Sequence, residues 1–168
     1  MGAMKWLLAV VLSASLAFAQ KAPADFAFHM AGGADLKLSQ YRGKVVVVAF
    51  LNTGCSHCQA FAKQLSLYQA EYGPKGVQVI AAVFDKEAKQ GLEKFRTQFV
   101  KGYPLGYSDE ATVMQWLAQP LEQGYFVPIV AFVDKKGALE SKHLGDDMLF
   151  QDPDGNIRHK LDLLMKKP

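Results

Sequence analysis

The sequence predicts an α/β protein, a central mixed β-sheet flanked by helices on both faces. Three observations carry this. Lys44 to Phe50, Val77 to Phe84 and Pro128 to Val133 are near-continuous apolar runs rich in β-branched residues. Strands buried on both faces read this way. Ser56 to Tyr72 and Lys86 to Val100 place apolar residues at helical spacing between those runs. A long helix linking two such strands implies a parallel pair with a right-handed crossover. Last, Lys135-Lys136-Gly137 turns the third run back into Ala138 to Leu144, an antiparallel hairpin.

The elements follow in order. Lys5 precedes an apolar stretch, Trp6 to Leu12 and Ala14 to Phe18, and Ala17-Phe18-Ala19 is a small-x-small site. Residues 1–19 are therefore read as a cleaved secretory signal peptide. The stretch is short and alanine-rich for a membrane span, and an uncleaved anchor is the alternative. Residues 20–168 are then one domain, beginning with a short tail from Gln20 to Ala24. Asp25 to Phe28 and Leu36 to Leu38 flank Gly32-Gly33, as two short edge strands forming an N-terminal β extension. Ser39 to Gly43 reads as one helical turn and its stop. The Ser56 to Tyr72 helix ends at Gly73-Pro74. After the second long strand come the Lys86 to Val100 helix, a short strand at Tyr103 to Tyr107, and a helix capped by Asp109 and running through Leu117. They form an inserted helical segment. Gly145 to Asn156 reads as irregular and acidic, and Ile157 to Met165 as a final amphipathic helix.

Composition narrows the function. The chain has 168 residues, half of them apolar, with a formal charge of +3. That length suffices for one well-buried core. Its basic residues are scattered among acids, so no nucleic-acid partner is expected.

Cys55 and Cys58 are the only cysteines. They stand C-x-x-C where the first long strand meets its helix. Outside the cytosol thiols are not held reduced, but a bridge over two residues closes too small a loop to stabilise much. The spacing points instead to redox chemistry or metal binding. A helix beginning at Cys55 offers unpaired amides and a positive dipole end to a thiolate there. Cys58, about one turn on, lies beneath it. Cys55 is the candidate attacking thiol and Cys58 the candidate resolving thiol. His57, between them, is the candidate that tunes the thiolate. Pro128 is the second informative residue, since proline is tolerated at the first position of a strand but not within one.

These residues resemble the thioredoxin-like superfamily, and within it the exported TlpA/ResA-like branch of thiol-disulfide oxidoreductases. The resemblance rests on DFAFHMAGGADLKLSQYRGKVVVVAFLNTGCSHC, VIAAVFD and VPIVAFVDKKGAL, which occur in that order. It implies a thioredoxin fold, with Cys55 attacking and Cys58 resolving. It also implies that Pro128 is a cis-proline beside the cysteines, and that Val127 offers backbone hydrogen bonds to a bound peptide. Disulfide- or dithiol-containing exported proteins are the implied substrates, with a separate redox partner protein. A monomer without cofactor or metal is expected, in the periplasm or otherwise outside the cytoplasm. Three departures stand out. Gly54 replaces the family's frequent Trp, Ser56-His57 replaces a pair that commonly includes Pro, and Ala49 stands where thioredoxin has a buried Asp. Glu122 or Asp85 is the substitute acid to look for. Cys-Ser-His-Cys with Val before Pro also looks like the DsbA type of oxidant, so the direction of electron flow stays open, with the reductant slightly favoured.

Two other readings use the same fold. A peroxiredoxin-like peroxidase needs Thr and Pro upstream of its cysteine; Thr53 is two residues before Cys55, not three, and the loop lacks Pro. A Sco-like copper chaperone uses C-x-x-x-C and a distant His, and here the cysteines are one residue closer, with His143 and His159 downstream. The aromatics are read mainly as core, with Tyr125, Phe126 and Trp116 as candidates to line a peptide groove.

Overall fold

The computed structural model describes residues 25–167. The predicted signal peptide, residues 1–19, and the tail after it lie outside the described residues. Among the described residues, no helix is long and apolar enough to cross a membrane.

The chain order is β1 (Ala27–His29), β2 (Asp35–Lys37), β3 (Val45–Leu51), α1 (Ser56–Tyr72), β4 (Val77–Val83), α2 (Ala88–Phe99), β5 (Leu105–Tyr107), α3 (Glu110–Trp116), β6 (Ile129–Val133), β7 (Leu139–His143) and α4 (Pro153–Lys166). The strands form one mixed sheet in the order β2-β1-β5-β4-β3-β6-β7. β3, β4 and β5 are parallel neighbours, while β6 runs antiparallel to β3 and β7 to β6. The N-terminal hairpin joins the far edge, where β1 lies antiparallel to β5.

Every residue of β3 is buried, which is why the strand reads as a continuous apolar run. Alternate side chains leave for opposite faces. Val45, Val47, Ala49 and Leu51 pack with Val79, Ala81 and Val83 beneath α1, α2 and α4. Val46, Val48 and Phe50 pack with Ile80, Ala82 and Phe84 beneath α3 and the N-terminal segment. Three helices cover one face and one helix covers the other.

Two stretches show why boundaries differ from the sequence expectation. The front strands lie at Ala27–His29 and Asp35–Lys37 because Asp25 is used otherwise: its carboxylate accepts the Ser39 amide at 2.8 Å and the Ser39 hydroxyl at 2.5 Å. The stretch Gly145 to Asn156 is not all irregular. Met148–Gln151 forms a 3-10 turn, and α4 starts at Pro153, four residues before Ile157. Asp152 caps that helix by accepting the Gly155 amide at 3.1 Å. Proline suits the first helical turn, where its missing N–H is not needed. Asp152→Ala is therefore expected to lower stability by about 1 kcal/mol, read as a lower denaturant midpoint at unchanged slope.

Candidate active site

β3 and β4 end side by side, with Leu51 opposite Val83, so the segments leaving them meet at one edge of the sheet. β3 runs out through Asn52, Thr53 and Gly54, and Cys55 caps α1. The Cys55 Sγ accepts the Cys58 amide at 3.2 Å. One of the donors that a helix start leaves free is thus satisfied by a sulfur, at the end where negative charge is favoured. Cys55 is half-buried, Cys58 is fully buried, and both are free thiols. Burial pushes the Cys58 thiol well above the usual thiol range. The Asn52 backbone amide pulls it back down, while Cys55 and Asp85 push it further up.

The polar turn is braced from two sides. Gln59 Nε2 donates to the Thr53 carbonyl at 3.0 Å. The Thr53 amide donates to Asp85 Oδ2 at 3.2 Å, and the Thr53 hydroxyl donates to the same oxygen. α2 approaches so closely that a Cβ on Gly91 would lie 2.9 Å from Thr53 Cγ2.

The loop before β6 forms the opposite wall. The Val127–Pro128 peptide bond is cis, and Pro128 is buried. The Gly145 amide donates to the Phe126 carbonyl at 2.8 Å. A Cβ on Gly145 would meet the Val127 carbonyl oxygen at 2.8 Å, so only a bare backbone fits against this loop. Between the loop and α1 opens a cavity of about 500 Å³, with His57, Phe61, Phe126, Pro128 and Phe150 in its walls. Phe61 and Phe150 meet edge to face at 5.5 Å, and Phe126 is 66% exposed. A concave apolar space with few polar groups suits an apolar side chain of a ligand.

The sequence-predicted residues converge to a large degree. His57, Val127 and Pro128 share the cavity. Cys55 and Val127 pack against the core face that holds Cys58. His57 is exposed on the first turn of α1. Of the two acids considered, Asp85 reaches the site and Glu122 lies exposed on the turn Leu121–Gln123. Trp116 does not line the groove. It is buried on the opposite face, 5.4 Å from Phe26 and 5.9 Å from Phe50 between ring centres. Tyr125 turns away toward Phe84 and donates to Glu110, so of the three candidate aromatics Phe126 lines the groove. Gly145 and Phe150 escaped notice in the sequence. Gly145 gives no local signal, while Phe150 is an isolated aromatic in an acidic stretch, which is a weak one. His143 is engaged by Asp147 at 3.0 Å and by Ser141 at 3.1 Å. Among the described residues, no three His, Cys, Asp or Glu side chains gather as metal ligands.

Comparison with known proteins gives a consistent picture. A family model described as Redoxin matches residues 18–155. The thiol-disulfide oxidoreductase ResA of Geobacillus kaustophilus is 28% identical over 117 residues, 69% of this chain and 63% of that protein. The chain thus matches just under two thirds of that relative's length. A solved candidate thiol:disulfide interchange protein DsbE from Chlorobium tepidum aligns with a TM-score of 0.66 at 23% identity, over 83% of this chain and 95% of that one. The pneumococcal exposed lipoprotein thioredoxin from Streptococcus pneumoniae gives 0.63 at 22% identity, over 84% of this chain and 100% of that one. The shared architecture is the thioredoxin fold.

Proposed function

The chain belongs to the Redoxin family, and on that premise we propose that it is a thiol-disulfide oxidoreductase acting on protein substrates through Cys55-Ser56-His57-Cys58. The observation that carries this reading is the asymmetry of the two thiols. A half-buried Cys55 takes an amide at a helix start, and a fully buried Cys58 lies beneath it. The Cys55 thiolate attacks a substrate disulfide and forms a mixed disulfide, releasing one substrate thiol. Cys58 then attacks Cys55 Sγ, the Cys55–Cys58 disulfide forms, and the second substrate thiol leaves. The two electrons of the dithiol end on the substrate.

His57, exposed beside the thiol pair, supports the thiolate when it carries charge. Val127 presents backbone groups to an extended substrate segment, as in addition of a short strand, and the apolar cavity takes a neighbouring side chain. The reading places the protein outside the cytoplasm, on the strength of the N-terminal signal pattern, with exported disulfide proteins as substrates and a separate protein as redox partner. The reducing direction is favoured, following the front motif's likeness to the TlpA/ResA-like branch.

The test pairs two assays. With a small dithiol donor, catalytic amounts should reduce a protein disulfide faster than the donor alone. If the oxidised chain instead oxidises a reduced, unfolded protein and reduction is not accelerated, the direction is reversed. If neither reaction is accelerated, the proposed function is wrong.

A further inference from the structure

Cys58 can attack only after losing a proton, and its burial makes that loss difficult. The sheet position beneath the thiol pair is Ala49, which has no group to accept a proton. A carboxylate is nevertheless available on the neighbouring strand. Val79, Ala81 and Val83 of β4 belong to the core on the same face of the sheet as Cys58, while Ile80, Ala82 and Phe84 belong to the core on the opposite face. The ladder continues past β4 through the Phe84 amide, which donates to the Leu51 carbonyl at 3.1 Å. Asp85 follows just past the strand, and its bonds to Thr53 hold it against the cysteine turn.

The Asp85 carboxylate is held and only half used. Thr53 supplies two donors to Oδ2. Oδ1 is buried and has no hydrogen-bond partner among the described residues. A buried carboxylate oxygen without a donor costs free energy, and taking up a proton relieves that cost.

We propose that Asp85 is the proton acceptor for Cys58 in the resolving step, an assignment that rests on the dithiol reading above. The Cys58 S–H gives its proton to Asp85 Oδ1. The resulting thiolate attacks Cys55 Sγ, the Cys55–Cys58 bond forms and the bond from Cys55 to the substrate sulfur breaks. The substrate sulfur leaves with the electron pair and takes up a proton, returning Asp85 to its charged form when the proton comes from there. In the mixed disulfide the Cys55 sulfur carries no charge, which leaves Asp85, just past the end of β4, as the charged group that acts on Cys58. His57, Lys86 and Glu87, the titratable groups next to these residues in the chain, are exposed. The role of the missing acid at position 49 is thus moved one strand across, and Thr53 ties its position to the cysteine turn.

The experiment uses the reduced protein and an aromatic disulfide that releases a coloured thiolate. The first release reports Cys55 attack and the second reports resolution by Cys58. Wild type should release two thiolates per chain, with a second phase that is flat around neutral pH. Asp85→Asn should leave the first phase within about threefold and slow the second roughly 10- to 100-fold near neutral pH, as loss of a general base does. The slow phase should recover as pH rises and hydroxide removes the Cys58 proton, and Asp85→Glu should restore much of it. A second phase within about twofold of wild type would overturn the proposal, as would an equal slowing of both phases with no recovery at high pH. Thr53→Val keeps the carboxylate and the amide at position 53 that donates to it, but removes the hydroxyl donor that fixes its position. If Asp85→Asn does not fold, a change confined to the second phase of Thr53→Val supports the assignment, and an unchanged second phase overturns it. A wild type that releases a single thiolate would instead defeat the dithiol reading itself.

Discussion

Cys58→Ser is expected to halt exchange half way, with substrate held on Cys55 as a mixed disulfide, while Cys55→Ser takes turnover down to the uncatalysed background. The two outcomes differ because the two sulfurs differ in place. Cys55 is half-buried at the helix start, within reach of a substrate disulfide and backed by the Cys58 amide at 3.2 Å. A hydroxyl there is a far weaker nucleophile. Cys58 has no exposed surface, so its action is confined to a bond already formed at Cys55. Replacing it by Ser keeps the amide that donates to Cys55 Sγ and removes only the resolving sulfur. Mixing Cys58→Ser with a disulfide-containing protein and running the product without reductant should show a covalent adduct that a dithiol releases. An adduct in Cys55→Ser at a similar rate would reverse the assigned roles.

Gly145→Val is expected to be the most damaging substitution outside the thiol pair. A Cβ at this position lies 2.8 Å from the Val127 oxygen and 3.0 Å from the Phe126 carbonyl carbon. Both are backbone atoms and cannot rotate away, so the Phe126–Pro128 loop must move. Overpacking of this kind costs about 1–3 kcal/mol of stability. The functional loss should exceed the stability loss, because a displacement near 1 Å in a positioned group can cost roughly a hundredfold in rate. It should also be selective. Reduction of a protein disulfide, which in the proposed function uses the Val127 backbone and the apolar cavity, should lose tenfold or more. Reaction with a small aromatic disulfide, which needs only the thiols, should stay close to wild type. Equal losses in both reactions would show that the loop holds the fold together and does not hold the substrate.

How much of this was legible in the sequence depends on the range of the interaction. The buried strands and α1 were readable because each is set by a local pattern: unbroken apolar residues in β3 and helical spacing from Phe61 to Tyr72. The thiol site was readable because two cysteines three positions apart carry their geometry with them. The first turn of α4 was hidden in an acidic stretch, although Asp152-Pro153 is a cap followed by a suitable first residue. The contacts that complete the site were not readable, because they join distant segments. Gly145 meets Val127 only after β7 has folded back along β6. Asp85 meets Thr53 only because β3 and β4 end in register. Trp116 was misplaced for the same reason, since its position just ahead of the loop says nothing about the face of the sheet on which α3 packs.

The central claim is that Cys55 and Cys58 cycle together between dithiol and disulfide. The most direct test is to equilibrate the protein across a series of glutathione redox buffers, alkylate the remaining thiols and weigh the intact chain. The expected result is a single two-electron transition in which both thiols disappear together with no glutathione retained. Its midpoint should lie nearer the roughly −270 mV of thioredoxin than the roughly −120 mV of DsbA. Two thiols that stay alkylatable throughout, or that take up glutathione independently, would contradict it.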